Sequence, residues 1–322
     1  MDNNENNEFD KYKKYIEQEE QEAPEENPIS FVAEPKNEKK KPKKLPLILA
    51  AVIIMIAAAV IAFNFKSEIK NIIMPTTTTQ STENPNIVKI TFPEGYTIYQ
   101  MAELLEKNQV CSKQDFYNAV NTPVDGITIT NGEERAFLLE GYIFPDTYEF
   151  YLNEDAQSVV NRFIQNYHSK VTPEIEQKAA DLGYTMDEML TLASIIQKEC
   201  DYDIEECQRV SSVFHNRLDI SRECYLGSDV TYFYLKNMAD YLGGSDSQKF
   251  DYLLTKYYTY NKYRKGLPAG PICNPGIKAI TAAVNPADTD YQYFLTDKTG
   301  KDFYYASTFN QHIKNKKLAG LD

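Results

Sequence analysis

The sequence has few of the side chains from which metal and redox centres are built. Three histidines occur in 322 residues, at separations that fit no local metal motif, and the five cysteines include no CxxC pair and no zinc spacing. Basic residues are outnumbered, because 34 Lys and Arg stand against 47 Asp and Glu and give a net charge of −13. We therefore expect no bound metal ion, no cofactor and no general binding of nucleic acid.

Internal repeats and heptads are also absent, so neither a repeat array nor a coiled coil is expected. The odd number of cysteines leaves at least one thiol unpaired within a monomer. Cys200, Cys207 and Cys224 are close in sequence and could include one disulfide, but spacing alone does not assign it. Free thiols that act as small apolar side chains are an equally good interpretation.

One long apolar run is present, from Leu45 to Phe65. It has 21 residues without a charge, and a helix needs about 20 apolar residues to cross a bilayer. A buried core helix is seldom so long and uncharged, and the apolar part of a cleavable signal peptide has about 7–15 residues near the N-terminus. We therefore predict a single uncleaved membrane-spanning helix at 45–65.

Six lysines between Lys36 and Lys44 precede this run and predict its orientation. By the positive-inside rule the N-terminal side stays in the cytoplasm, and everything after Lys66 lies outside the cell, anchored in the cell membrane. The charged residues 1–44 are predicted to be a disordered cytoplasmic tail. The Thr-, Ser- and Pro-containing residues 66–86 are predicted to be an extended linker.

Beyond the linker, the pattern predicts an α+β fold. Residues 87–92 alternate apolar and polar as in a strand, and helices are expected near 98–105 and after Ser112. A strand followed by two short helices predicts a small subdomain at 87–125. The remaining residues, 126–322, are predicted to form a larger mixed domain.

A carboxylate ends the most regular helical pattern in the chain. A capping-box sequence at 185–188 predicts a helix start, and Met189, Leu192 and Ile196 follow at helical spacing, with Glu199 as the next step. Glu199 is therefore predicted at the edge of the core, where desolvation and the negative end of the helix dipole raise the pKa of a carboxyl group. A glutamate protonated near neutral pH suits a general acid, although a half-exposed surface position is the common alternative.

A loop rich in glycine and proline at 266–276 is a second candidate feature, and Tyr260 and Tyr263 precede it. Such a loop is pre-shaped and costs little entropy to order on binding. Tyrosine rings suit stacking on sugars. The alternative is a structural loop that tyrosines pack.

Six segments between about residues 87 and 315 follow one another in a characteristic order. They are LEGYIFPDTYEF at 139–150, LASIIQKE at 192–199, VFHNRL at 213–218, LGSDVTYFYL at 226–235, YNKYRKGLPAGPICNPG at 260–276 and AITAAVNPADTDYQYFL at 279–295. Together they resemble the endolytic murein transglycosylase family, the MltG or YceG-like proteins. By this resemblance Glu199 matches the family's catalytic glutamate, and residues 87–125 match its LysM-like subdomain.

The resemblance also implies a substrate and a reaction. The substrate is the glycan strand of peptidoglycan, and the implied reaction cleaves the MurNAc–GlcNAc bond of nascent strands and leaves a 1,6-anhydroMurNAc end, which terminates elongation. Cell-wall synthases at the membrane are the implied partners. The alternatives are a membrane-anchored glycan-binding scaffold without activity and a muramidase that uses water.

Nine further residues of the matched segments are predicted to contact the substrate: Glu140, Tyr142, Asn216, Arg217, Ser228, Asp229, Tyr260, Asn261 and Tyr263. A buried hydrogen-bonded turn is an equal alternative for Glu140 and Tyr142. Arg217 could equally anchor a loop, and Asp229 could cap the following helix.

The chain departs from the family pattern at several positions. Gln197 stands where the family has a first glutamate, and Cys200 stands where it usually has threonine. Gly227, Val230 and Lys262 change two of the matched loops. The substrate contacts from these loops are therefore predicted less directly than the acid.

Overall fold

The computed structural model describes residues 86–220, 225–260 and 264–321. The predicted cytoplasmic tail, the membrane helix and the linker up to residue 85 lie outside these residues, as do Cys224, Asn261 and Tyr263. Within the described part, no helix combines the length and the apolar character needed to cross a membrane. All described residues belong to one compact unit, 81–322.

This unit is a mixed α+β fold, as the sequence predicts. In chain order its elements are β1 (Ile87–Thr91), α1 (Ile98–Lys107), α2 (Lys113–Val120), a 3-10 turn (Gly132–Glu134), β2 (Thr147–Tyr151), α3 (Ala156–Lys170), α4 (Pro173–Asp181), α5 (Met186–Glu199), α6 (Ile204–Ile220), α7 (Val230–Asn237), α8 (Ala239–Leu242), α9 (Gln248–Tyr257), α10 (Ile277–Ala283), β3 (Tyr293–Thr296), β4 (Phe303–Ala306) and α11 (Phe309–Leu318).

The first part of the unit is a strand–helix–helix–strand arrangement. β1 pairs antiparallel with β2, from Ile87 opposite Tyr151 to Thr91 opposite Thr147. This pairing crosses the predicted boundary at residue 125, because the partner strand of the predicted subdomain lies beyond it. Whether this arrangement is LysM-like stays a prediction.

An aromatic cluster fixes this small sheet to α3. The ring of Phe92 packs edge-on against Tyr148, Phe150 and Phe163, with ring centroids 6.0, 6.2 and 5.1 Å apart. Edge-to-face pairs of this kind stabilise a core beyond the burial of their area. The sheet is therefore held by side chains from β2, from the residue that follows β1 and from α3.

Helix α5, which ends at Glu199, is the central helix of the second part. Its predicted capping box is confirmed, because the N–H of Glu188 donates to the Thr185 hydroxyl at 3.2 Å and the N–H of Thr185 donates to the Glu188 carboxylate at 2.8 Å. The predicted apolar stripe is too narrow, since Leu190 and Ile195 are buried as well. Such all-round burial is typical of a helix between packed neighbours, and α6 and α10 contact it.

The Gly- and Pro-rich loop lies against α5 instead of opening into solvent. Residues 268–276 are all buried. The N–H of Ile272 donates to the Ser194 hydroxyl at 3.0 Å, and the N–H of Gly276 donates to Oε1 of Gln197 at 2.9 Å. This burial favours the structural alternative, in which the loop packs against the end of α5 and holds it in place.

The chain ends in the hairpin β3–β4, followed by α11. The strands pair antiparallel from Tyr293 opposite Ala306 to Thr296 opposite Phe303. The ring of Tyr293 stacks on His312 of α11 at a centroid distance of 5.1 Å. β3 also contacts α6, so this hairpin supports the helix that carries Arg217.

Candidate active site

Glu199, the last residue of α5, is half-buried and faces the turn that precedes α7. The hydroxyl of Ser228 donates a hydrogen bond of 2.6 Å to its Oε1. Ser228 itself is only 2% exposed. The structure therefore brings together two residues that the sequence predicts separately, one as the acid and one as a substrate contact.

Two buried threonines hold Ser228 in position. The N–H of Ser228 donates to Oγ1 of Thr259 at 3.2 Å, and its carbonyl accepts from Oγ1 of Thr231 at 2.8 Å. The preceding residue, Gly227, has φ +65° and so supplies the left-handed turn. Neither threonine is among the predicted site residues, although Thr231 lies in the matched segment 226–235 and Thr259 directly precedes the one at 260–276.

Burial raises the pKa of Glu199 above its ordinary value, because the carboxylate is desolvated. The hydrogen bond from Ser228 and the positive charge of Arg217 lower the pKa, while the negative charge of Asp229 raises it. Desolvation is the largest of these effects. The direction agrees with the prediction from helical spacing, and it keeps the proton on the carboxyl group to higher pH, as a general acid requires.

Arg217 anchors the loop that carries Ser228. Its Nε donates to the carbonyl of Gln292 at 2.8 Å, and its Nη1 donates to the carbonyl of Leu226. A Cβ added at Gly227 would lie 3.5 Å from Nη1 of Arg217 and 3.8 Å from the ring of Tyr260. Arg217 and Tyr260 thus lie on the same side of the turn, and the loop-anchoring alternative describes the arginine.

Asp229 precedes α7 but does not cap it with its side chain. The helix N–H groups of Tyr232 and Phe233 instead reach its backbone carbonyl, at 2.9 and 3.2 Å. Its carboxylate is exposed and close enough to Glu199 to affect the pKa there. Contact between Asp229 and a sugar hydroxyl stays a prediction.

Glu140 lies in the core, where it cannot line a groove. It is 0% exposed, and its carboxylate accepts from the N–H of Ile98 at 2.9 Å, from Nδ2 of Asn274 at 2.8 Å and from the hydroxyl of Tyr234 at 3.2 Å. Burial raises the pKa of Glu140 to about 8. The expected substrate contact does not fit this position, since the oxygens of the carboxyl group accept from the first N–H of α1 and from two buried side chains.

Tyr142 is likewise part of the core. It is 3% exposed, and its hydroxyl donates to Oδ1 of Asp187 at 2.8 Å. Asp187 also forms a buried ion pair with Arg135, whose Nε donates to the carbonyl of Ala269 at 3.1 Å. The expected substrate contact of Tyr142 does not fit either, because its hydroxyl belongs to this network between α5 and the Gly- and Pro-rich loop.

Asn216 also has a structural role. Its Nδ2 donates to the carbonyls of Thr289 and Tyr291, at 2.8 and 2.9 Å. Both amide hydrogens are therefore used, so the predicted donation to an acetamido or carboxylate group does not fit. Asn261 and Tyr263 lie outside the described residues, and their substrate contacts stay predictions.

Asn274 is a positioning residue that the sequence analysis missed. Its Oδ1 accepts from the N–H groups of Gly141 and Ile143, at 2.9 and 3.0 Å, and its Nδ2 donates to Glu140 and to the carbonyl of Tyr96. One side chain thus joins the Gly- and Pro-rich loop to the 139–150 segment and to the turn before α1. Its place in a matched segment was the available signal.

The cysteine alternatives are resolved for the described residues. Cys111, Cys200, Cys207 and Cys273 are free thiols. The Sγ of Cys207 donates to the carbonyl of Cys200 at 3.5 Å, so these two residues are in contact just after the end of α5. Among the described residues, no group of His, Cys, Asp or Glu converges in a way that could hold a metal ion.

A cavity of about 510 Å³ adjoins the site. It lies between α1 and α7, and its walls include Lys198 and Val230, the chain neighbours of Glu199 and Asp229. Glu199 does not line it. Glu199 therefore lies outside the cavity, although the end of α5 and the start of α7 contribute residues to both.

The fold and the geometry define a class of site, in which one half-buried carboxyl group with a raised pKa is held by a hydroxyl and lies near an arginine. The family follows from comparison of the whole chain. A family model described as the YceG-like family matches residues 19–318, and the chain belongs to this family.

Curated relatives and a solved structure are similar to the chain. A protein named endolytic murein transglycosylase from Streptococcus pneumoniae is 27% identical over 259 residues, which cover 74% of this chain and 45% of that protein. One of the same name from Bacillus subtilis is 30% identical over 245 residues, covering 71% of this chain and 64% of that protein. A crystal structure of a yceG-like protein from Listeria monocytogenes matches with a TM-score of 0.58 and 28% identity, covering 71% of this chain and 76% of the other. The chain thus spans less than half of the S. pneumoniae relative and less than two thirds of the B. subtilis relative.

Proposed function

We propose that this protein is a peptidoglycan lytic transglycosylase that cuts the bond between MurNAc and GlcNAc within glycan strands. The observation that carries the proposal is the environment of Glu199. Its carboxyl group is half-buried at the end of a buried helix, has a raised pKa and accepts a hydrogen bond from Ser228. The names of the relatives support the same reaction and substrate class.

In the first step, the protonated Glu199 gives its proton to the glycosidic oxygen as the bond breaks. The acetamido group of the substrate stabilises the developing positive charge at the anomeric carbon. Substrate assistance of this kind replaces the second carboxylate of ordinary glycosidases. The Ser228 hydroxyl holds the carboxyl group in a fixed orientation during the transfer.

In the second step, the Glu199 carboxylate takes the proton of the MurNAc 6-hydroxyl, whose oxygen attacks the anomeric carbon. The product is a 1,6-anhydroMurNAc end, and no water is added. The Ser228 hydrogen bond and the charge of Arg217 favour the ionised form of Glu199. Both groups therefore support the base of this step as well as positioning the acid of the first.

A hydrolytic muramidase is the second candidate, and Asp229 is the observation that favours it. Its exposed carboxylate lies close enough to Glu199 to raise the pKa there. Ordinary glycosidases use a pair of carboxyl groups. Mass spectrometry of the new ends distinguishes the two reactions, because hydrolysis adds one water to each cut.

We further infer a cellular setting for this activity. The uncharged 21-residue run at 45–65 and the lysines before it support a single-pass anchor with a cytoplasmic N-terminus and an extracellular catalytic domain. The strand–helix–helix–strand order of residues 87–151 supports a LysM-like subdomain, which would bind the glycan chain. An anchored enzyme of this kind would cut nascent strands beside the cell-wall synthases and so terminate elongation.

The decisive experiment treats purified glycan strands with the full chain and with its Glu199→Gln variant. The wild type is expected to release fragments with 1,6-anhydro ends, and the variant to be slower by about 100- to 10,000-fold, the usual contribution of general acid–base catalysis. Glu205→Gln, which removes an exposed carboxylate from the first turn of α6, is the matched control. Cleavage by the Glu199→Gln variant at the wild-type rate would defeat the assignment, and intact strands after treatment with wild type would favour the glycan-binding scaffold.

A further inference from the structure

The cavity beside Glu199 has the size of a ligand site. Its volume is about 510 Å³, and small-ligand sites have about 300–1,000 Å³. Lys198 and Val230, which line it, are the chain neighbours of Glu199 and Asp229. A substrate that occupies the acid site could therefore extend a branch into this space.

The lining of the cavity combines aromatic rings, amides and charges of both signs. These groups belong to Tyr99, Gln100, Glu103, Lys198, Phe233 and Asn237. Phe233 is 50% exposed. Lys198 is exposed, and its ammonium group has no ion pair with any residue that the structure describes. A lysine ammonium group on a cavity wall that is in no ion pair with the described residues can bind a ligand carboxylate.

The charges distinguish between the parts of the substrate. In a strand that keeps its stem peptides, the lactyl carboxyl group of MurNAc is in the amide bond to the peptide, so the sugar units are uncharged and the carboxylates and amino groups belong to the stem peptides. A stem peptide also branches from MurNAc, the sugar whose bond is cut, and so leaves the strand to one side of the acid. The cavity has Lys198, the chain neighbour of Glu199, and Glu103 on its walls.

We propose that this cavity is a subsite for the stem peptide of the strand, in which Lys198 binds a peptide carboxylate and Gln100 and Asn237 bind peptide groups. The proposal rests on the proposed function for the identity of the substrate. It adds that the enzyme recognises the peptide on the sugar that it cuts, in addition to the sugar chain.

The test compares glycan strands that keep their stem peptides with the same strands after the peptides are removed. We expect wild type to have the higher kcat/KM on the peptide-bearing strands, and Lys198→Met to reduce this preference about tenfold, equivalent to about 1.4 kcal/mol. Lys198→Arg keeps the charge and should retain most of the preference. Lys236→Met, which removes an exposed charge from α7 away from the cavity lining, is the matched control.

Binding of the soluble stem peptide, measured by calorimetry, tests the subsite without reference to cleavage. Lys198→Met and Asn237→Ala should each weaken this binding, and both replace exposed side chains. The proposal is overturned if the soluble peptide does not bind wild type, or if Lys198→Met slows both kinds of strand equally. Failure of the proposed function would look different, because wild type would then form no anhydro ends from either substrate.

Discussion

The hydroxyl of Ser228 donates a 2.6 Å hydrogen bond to Oε1 of Glu199 and thereby joins the start of α7 to the end of α5. The bond favours the ionised form of the carboxyl group, so it opposes the larger effect of desolvation on the same pKa. Two opposing effects therefore act on the pKa of Glu199, which suits a group that is proposed first to release a proton and then to accept one.

Replacing Ser228 by alanine should raise the pKa of Glu199 further, because a bond to the charged form is lost. The alkaline limb of the pH–rate profile, where the acid loses its proton, should move up by about one unit, and kcat should fall about tenfold. The measurement is kcat/KM for glycan cleavage as a function of pH. Ser169→Ala, which removes an exposed hydroxyl from α3, should leave the profile in place, and an unmoved limb in Ser228→Ala would contradict the role given to the bond.

Replacing Glu140 by glutamine should change how stability depends on pH. Because burial raises the pKa of Glu140 to about 8, the folded state holds this proton more tightly than the unfolded state, whose pKa is near 4.5. The contribution of Glu140 to stability is therefore fully present below about pH 4.5 and is lost as the pH rises towards about 8. Glutamine does not titrate, so the free energy of unfolding of Glu140→Gln relative to wild type should increase by about 1.4 kcal/mol per pH unit across this window.

Urea unfolding of both proteins at several pH values between 5 and 8 measures this difference. A constant difference across the range would show that Glu140 stays ionised in the folded state. The folded Glu140→Gln variant should still cleave glycan, because a residue in the core does not contact the substrate. This measurement is the control on the position of Glu140.

Replacing Gly141 by alanine should destabilise the fold by about 3 kcal/mol or more. Gly141 has φ +93°, and a Cβ there would lie 2.5 Å from Cγ of Pro271, so strain and overlap act together. Gly183→Ala is the matched control, because Gly183 has φ +79° but nothing within 4 Å of the added Cβ. The control should lose only about 1–2 kcal/mol, and equal losses in the two variants, measured by urea unfolding, would contradict the close packing of Pro271.

Helix starts were predictable from the sequence because capping is local. Ser112 caps α2, and the capping box at 185–188 begins α5, as expected from residues three positions apart. The strand expected at 87–92 is observed at Ile87–Thr91. Its partner was not predictable, because β2 lies some 60 residues away and pairing at that distance depends on the packing between them.

The site was predictable in part. Helical spacing placed Glu199 at the edge of the core, and the matched segments included Ser228, but the bond between them spans 29 residues and has no local pattern. The same segments suggested Glu140 and Tyr142 equally as substrate contacts or as part of a buried hydrogen-bonded turn, and both are buried. A motif records that a residue type recurs at a position, and it does not record whether the side chain faces a ligand or the core.

The sequence by itself determined the caps, the helix that ends at Glu199 and the membership of the family, since each depends on residues near one another or on their order along the chain. Only the tertiary structure decided that the Ser228 hydroxyl binds the carboxyl group of Glu199, that Asn274 and Arg135 join the Gly- and Pro-rich loop to its neighbours, and that a cavity lined by Lys198 adjoins the end of α5. These features depend on which distant side chains become neighbours. Close packing of the whole core determines that outcome, and no short stretch of sequence contains it.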